Sequence, residues 1–344
     1  MWERSHDREN MPLTLEDIAK FSGVSRSTVS RVINGDKKVS PETREKVMEV
    51  ISKINFQPNL AARGLAAGKT NVLGMVIPAG VARIFSDPYF PILIQGVSAA
   101  CNALDYTVML WLAEPEYERR TINQILHSGL VDGVIVSSML MDDPIIQSLA
   151  ISKMPFILIG RHPSLDVNYL DTDNFSGAQA ATDHLLRLGH KRVGTITGPE
   201  NMIPSYDRLQ GYREALHNRN VPFLPELVQE GDFSEQSGYA CMQNLIARRV
   251  DAVFAASDAM AYGAIRAIRE SGLNIPGDIA VVGFDDLPGS ANTNPPLTSV
   301  RQPIYRLGYH GTETLVDIIQ HPESQPRHVI LPTELVIRET CGAH

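Results

Sequence analysis

"TLEDIAKFSGVSRSTVSRVING", residues 14–35, holds two short helices and the sharp turn between them. Thr14 stands where a helix cap is needed, Asp17 falls at the third helical position, and Ile18, Ala19 and Ser22 recur at the spacing of one helix face. Gly23 ends that helix, Val24 is placed to staple the next, and Ser25 caps "RSTVSRVIN", which stops at Asn34-Gly35. At about 100° per residue the second helix divides cleanly. Arg26, Ser27, Ser30, Arg31 and Asn34 share one arc, and Thr28, Val29, Val32 and Ile33 share the other. The polar arc contains no acid. Guanidiniums, hydroxyls and an amide without carboxylates are suited to phosphates and base edges. A third helix starts at Ser40-Pro41 and carries Val47, Val50, Ile51 and Ile54 inward. Residues 11–57 thus read as a small all-α DNA-binding head.

Charge supports that division. Residues 11–69 hold ten Lys/Arg against six Asp/Glu, a balance of +4, whereas residues 70–344 carry −11. A basic head on an acidic body confines a nucleic-acid contact to the head. The first ten residues, charged and without an apolar run, are expected to be a flexible extension rather than a signal peptide, and no run approaches the ~20 apolar residues of a membrane span. A cytoplasmic protein is the expectation. Cys101, Cys241 and Cys341 are too far apart for a zinc site or a disulfide framework.

After the head, "FQPNLAARGLAAGKT" starts a short alanine-rich helix at Pro58. At eight to ten residues, with Gly64 inside, it is expected to fold only when docked, because isolated helices below ~12–15 residues are marginal in water. "RGLAAGKT", residues 63–70, is a near-miss to a phosphate-binding loop. That loop needs four residues between its glycines, and Gly64 and Gly68 enclose three.

From residue 71, apolar runs alternate with helix-length segments: "NVLGMVIP", "YTVMLWLA", "VDGVIVSS", "PFILIG", "RVGTITG", "DAVFAAS" and "IAVVGFDD". These read as buried parallel strands with helical crossovers, giving an α/β core of two doubly wound parallel-sheet lobes. Breaks near "YLDTDNFSG" and "PPLTSVRQPI" place lobe one at about 71–172 and 301–325, and lobe two at about 173–300 and 326–344. Ligands bind beyond the carboxyl ends of such strands. The segments there supply Tyr89, Phe90, Arg161, Arg208, Phe233, Asp258, Asp285 and Asp286, with Ser257 and Gln302 beside them. An arginine, carboxylates and aromatic rings on one cleft suit a sugar, whose hydroxyls take hydrogen bonds and whose C–H face takes a ring. Asp258 has the alternative reading of a helix cap, and Arg208 that of a structural ion pair.

"LTLEDIAKFSGVSRSTVSRVINGDKKVSPETREKV" resembles the helix-turn-helix head of the lactose-repressor and galactose-repressor family of bacterial transcription regulators. The likeness extends from about residue 11 to 340 through "LGHKRV", "DRLQGYREAL", "ASDAMAYGAIRAI" and "VVGFDD". It implies that Arg26 and Ser27 choose bases, that Arg31 meets a base or phosphate, and that Thr28 and Ser30 meet phosphate, with Thr14, Ser25 and Asn34 completing the surface. Residues 58–70 would be the family's hinge helix, with Asn59, Arg63 and a Leu65 wedge in the minor groove. The core would resemble a periplasmic sugar-binding protein, with Arg208 and Asp285 on ligand hydroxyls and Phe233 as aromatic platform. Ser257 stands where many members have asparagine. Tyr89-Phe90 resembles the aromatic pair of a purine-sensing branch, which keeps a nucleobase effector open. The resemblance implies a homodimer on a pseudo-palindromic operator, no cofactor and no membrane partner; the chain ends at "IRETCGAH" without the leucine-heptad tail of tetrameric members. An enzyme acting on the same ligand finds little support, since the chain has no G-x-S-x-G elbow and no clustered metal-binding histidines. A solute-binding transport protein would fit the body but not the attached head.

Overall fold

The computed structural model describes residues 13–33, 35–36, 38–54, 56, 69–78, 81–112 and 118–343. Asn34, Asn59, Arg63, Leu65, the extension 1–10 and nearly all of the expected hinge lie outside the described residues. The chain divides into two compact units between Thr70 and Asn71.

The first unit contains α1 (Leu15–Ser22), α2 (Arg26–Ile33) and α3 (Pro41–Lys53). The Asp17 carboxylate accepts from the Thr14 backbone N–H at 3.0 Å and from its hydroxyl at 2.8 Å, closing the start of α1. Gly23 turns the chain at a φ of 67°, where a side chain is disfavoured. Ser25 Oγ then accepts from Thr28 N at 3.2 Å, and Ser40 Oγ from Thr43 N at 3.3 Å ahead of Pro41. Ile18, Val29, Val32 and Val47 form the buried centre, with Ala19, Val24, Val50, Ile51 and Ile54 packed around it. The Arg44 guanidinium donates to the Asp36 carbonyl at 2.6 Å and to that of Val32 at 3.4 Å, pinning α3 to the exit of α2. Thr28, expected on the inner arc, is only half-buried, and its hydroxyl bonds Ser25 at 2.8 Å.

In the second unit the elements run β1 (Val72–Ile77), α4 (Val81–Ser86), α5 (Tyr89–Ala103), β2 (Thr107–Leu112), α6 (Glu118–Ser128), β3 (Gly133–Ser137), α7 (Pro144–Ala150), β4 (Phe156–Ile159) and β5 (Tyr169–Thr172). They continue as α8 (Asn174–Arg187), β6 (Val193–Thr197), α9 (Ile203–Asn218), β7 (Val228–Glu230), α10 (Glu235–Ala247), β8 (Ala252–Ala255), α11 (Asp258–Glu270), β9 (Ala280–Asp285) and β10 (Thr298–Arg301). The last are α12 (Ile304–Gln320), β11 (His328–Leu331) and β12 (Glu334–Val336).

Two six-stranded sheets result, ordered β11-β5-β4-β3-β1-β2 and β12-β10-β9-β8-β6-β7. Among the named strands every pairing is parallel except β12 against β10. The central strands β3, β4 and β9 are buried along their whole length, which is why they read as unbroken apolar runs. The chain passes between the sheets after Thr172, after Arg301 and again after Leu331. The last crossing corrects the expected boundary at 326, because His328–Leu331 pairs in register with Tyr169–Thr172 and extends the first sheet. β11 alternates exposed and half-buried residues at a sheet edge and so lacks the apolar run of a central strand.

Candidate functional site

On α2 the exposed face carries Arg26, Ser27 and Arg31, with Ser30 half-buried at its margin. The two arginine side chains are 67% and 65% exposed; Arg26 Nε lies 2.9 Å from Glu16 and Arg31 Nε 4.0 Å from Asp36. Exposed pairs of this kind stabilise by ~0–1 kcal/mol, so either guanidinium can exchange its partner for a phosphate or a base edge at little cost. Thr14, Ser25 and Thr28 are drawn into the helix starts, and Ser27 Oγ shares a hydrogen with Ser25 Oγ at 2.8 Å. Those bonds fix the N-terminal end of α2, the end that enters a major groove in helix-turn-helix docking.

The second unit encloses a cavity of about 40 Å³ where the carboxyl ends of the two sheets face each other. Lobe two brings Arg208 from α9, Asp285 from the end of β9, Phe233 from the β7–α10 turn and Ser257 from the cap of α11. Lobe one brings Asp87 and Tyr89 from the start of α5 and Asp171 from β5, while Asn174 and Gln302 stand where the chain crosses.

Arg208 organises this cavity. It is 5% exposed, donates from Nε to Asn174 Oδ1 at 2.9 Å and from Nη1 to the Ala256 carbonyl at 2.5 Å, and lies 3.7 Å from Asp285 Oδ1. Its guanidinium stacks 3.7 Å above the Phe284 ring. Burial pulls the Arg208 pKa down, and the Asp285 charge opposes that pull. Asp285 accepts from Gln302 Nε2 at 2.6 Å, and burial raises its carboxyl well above the ordinary range against the pull of Arg208. Burial likewise raises Asp171 and the Tyr89 phenol. Phe233 and Asp285 sit at φ of 68° and 117°, conformations costing ~1–3 kcal/mol that cluster where side chains are aimed at ligands. Gly198 makes room for the platform: a Cβ there would stand 2.1 Å from Phe233 Cζ.

Four sequence-derived assignments to the cleft are corrected. Phe90 is 4% exposed and packs into the lobe-one core, with its ring perpendicular to that of Tyr89, because neighbours on a helix point ~100° apart. Asp258 is fully buried beneath the cleft floor. Its Oδ1 accepts from Ser299 at 2.6 Å, and its Oδ2 accepts from Ser290 at 2.5 Å and Leu287 N at 2.8 Å. Ser257, not Asp258, caps α11 by accepting from Met260 N at 3.2 Å. Arg161 does not line the cavity; it bridges Asp171 of lobe one at 3.0 Å and Asp207 of lobe two at 2.5 Å. Asp286 is engaged below, with Arg338 at 2.6 Å and Arg301 at 2.7 Å. The sequence reading missed Asp87, Asp171 and Asn174 as cavity residues. Asp87 stands two residues before Tyr89, and Asp171 lies in, and Asn174 just after, the unrecognised strand β5.

Three carboxyl groups, one guanidinium, an amide pair and the rings of Tyr89 and Phe233 line the cavity, groups that can bond hydroxyls and cover a C–H face. Among the described residues no three His, Cys, Asp or Glu side chains gather as a metal-binding group, and no helix is long and apolar enough to cross a membrane.

A helix-turn-helix head in one chain with a two-lobe small-molecule binder defines a ligand-responsive transcription regulator. Residues 14–59 match the bacterial regulatory proteins, lacI family, and residues 182–341 match the periplasmic binding protein-like domain. The chain belongs to the lacI family, whose members here are regulators and not enzymes. It is 39% identical over 339 residues to the HTH-type transcriptional regulator CelR of Thermobifida fusca, covering 97% of this chain and 99% of that one. A solved CelR–cellobiose complex superposes with a TM-score of 0.76 at 37% identity, over 95% of this chain and 99% of that chain. The lac repressor dimer bound to operator and the anti-inducer ONPF superposes with a TM-score of 0.87 at 29% identity, over 97% of this chain and all of the other.

Proposed function

We propose that this chain is a repressor that acts in the cytoplasm as a homodimer on a pseudo-palindromic operator, and that a neutral sugar held between its lobes sets its operator affinity. The α2 face of Arg26, Ser27 and Arg31 reads the operator. The sugar's hydroxyls replace the bonds that Arg208, Asp285, Asn174 and Gln302 make among themselves, and its C–H face lies on Phe233. Cellobiose, the ligand of the CelR complex, is the first candidate.

The observation that carries this reading is a cavity in which carboxyl and amide groups surround a single arginine beside the rings of Tyr89 and Phe233. Phe90 lies in the core, so the aromatic pair expected of a nucleobase site is not presented to the cavity. A thermal-shift screen of the full chain against cellobiose, glucose, ribose and nucleobases tests it. A sugar at 100 times its Kd stabilises by about 2.7 kcal/mol and raises the core's melting temperature. A shift with a nucleobase and none with any sugar overturns the reading.

A further inference from the structure

Arg161 links two compartments. It lines a groove of about 1340 Å³ between the two lobes, and it holds Asp171, which lines the cavity around Arg208. The link is ionic, for Arg161 donates to Asp171 and, across the lobes, to Asp207, the sequence neighbour of Arg208. Burial lowers the Arg161 pKa, and the two carboxylates more than reverse that.

The outer groove is not apolar. Tyr206, Leu209, Gln210 and Arg213 line it at the i, i+3, i+4, i+7 spacing of one face of α9. Tyr206 is 53% exposed, and Arg213 stacks over the Phe223 ring at 4.6 Å. Opposite, Tyr169 and His328 stack at 4.5 Å with their planes 12° apart. Two buried polar atoms on this groove, His162 Nε2 and Ser205 Oγ, have no hydrogen-bond partner among the described residues. His162, 9% exposed, accepts at Nδ1 from Ser164 N and Leu165 N, which places its proton on Nε2, and that atom has no acceptor. Ser205 Oγ, on a residue 2% exposed, also has none. Exposed rings with amide, guanidinium, imidazole and hydroxyl groups repeat the chemistry of the inner cavity at larger scale.

We propose that the outer groove is an extension subsite for the second and later rings of an oligosaccharide whose first ring sits on Arg208. This rests on the sugar-sensing function proposed above. A linked ring leaves the inner cavity past Arg161, lies on Tyr206 and meets Gln210, so chain length, and not only the identity of the first sugar, selects the effector.

Calorimetric titration of the full chain with glucose, cellobiose and cellotriose tests this, in wild type and in Tyr206→Ala/Gln210→Ala. Both side chains face the groove and Tyr206 is exposed, and an unchanged melting temperature confirms that the variant folds. The expected result is cellotriose binding at least about tenfold tighter than glucose, with that gain lost in the double variant and glucose affinity held within about twofold. Equal affinities across the three lengths, or a length-dependent gain that survives both substitutions, overturn the subsite while leaving the inner sugar site standing. If no saccharide of any length binds, the inner site and its extension fall together.

Discussion

Replacing Arg208 with methionine keeps an unbranched stem but removes the guanidinium, with its charge and its hydrogen bonds to Asn174 and Ala256. Asp285, 7% exposed and 3.7 Å away, then loses its counter-charge while remaining buried. Breaking a buried pair by removing one partner costs about 3–5 kcal/mol. Arg208→Met/Asp285→Asn removes the stranded charge as well, and the asparagine carbonyl still accepts from Gln302 Nε2, now 2.6 Å from Asp285 Oδ1. The double variant should therefore be more stable than the sum of the two single losses by about 2 kcal/mol, within the range measured for residues in contact. Differential scanning calorimetry of wild type, both singles and the double follows the core's transition. Both single variants and the double should lose saccharide binding in calorimetric titration. Additive losses, within about 0.5 kcal/mol, would refute the claim that the cavity is built around a coupled buried pair.

Arg26→Ala should leave folding unchanged, since its pair with Glu16 is exposed, and should lower discrimination at one operator base position by about 1–3 kcal/mol; equal discrimination in competition binding refutes its reading role. Gly198→Ala places a methyl against Phe233 and Ser205 and should weaken saccharide binding by about tenfold or more, measured by titration, with operator affinity retained. Burial pushes Asp258 up to about 7, against its hydroxyl and N–H donors, from ~3.9 in an unfolded chain. The folded state holds that proton more tightly, so stability from this group is full below pH ~4 and is lost as pH rises toward 7. Asp258→Asn keeps an acceptor and cannot titrate. Its melting temperature should vary less than that of wild type between pH 4 and 7, and parallel profiles would contradict burial as the cause.

The head was legible because local chemistry decides it: caps at Thr14, Ser25 and Ser40, a left-handed glycine at Gly23, and an apolar stripe through Val29 and Val32. The central strands were legible because burial on both faces leaves only apolar residues. β5, β7, β10, β11 and β12 are three or four residues long, carry charged or polar side chains, and lie toward the sheet edges, where pairing partners rather than sequence define them. In the cleft, Arg208, Phe233 and Asp285 could be found from their positions just beyond strands. Whether Asp258 turned up into the cleft or down to Ser290 and Ser299 depended on residues about 30–40 positions away in sequence. The same holds for Arg161, whose partner Asp207 lies 46 positions on and in the other lobe.

The central claim is that a sugar in the cleft controls DNA binding by the head. An operator selected from a random-sequence duplex pool, fluorescently labelled, allows the full chain's affinity to be measured by anisotropy with and without saturating cellobiose. The account predicts enrichment of a pseudo-palindromic sequence and at least about a tenfold change in its affinity with cellobiose, equal to a coupling of about 1.4 kcal/mol, with that change absent in Arg208→Met. Cellobiose that binds the chain but leaves operator affinity unchanged would contradict it.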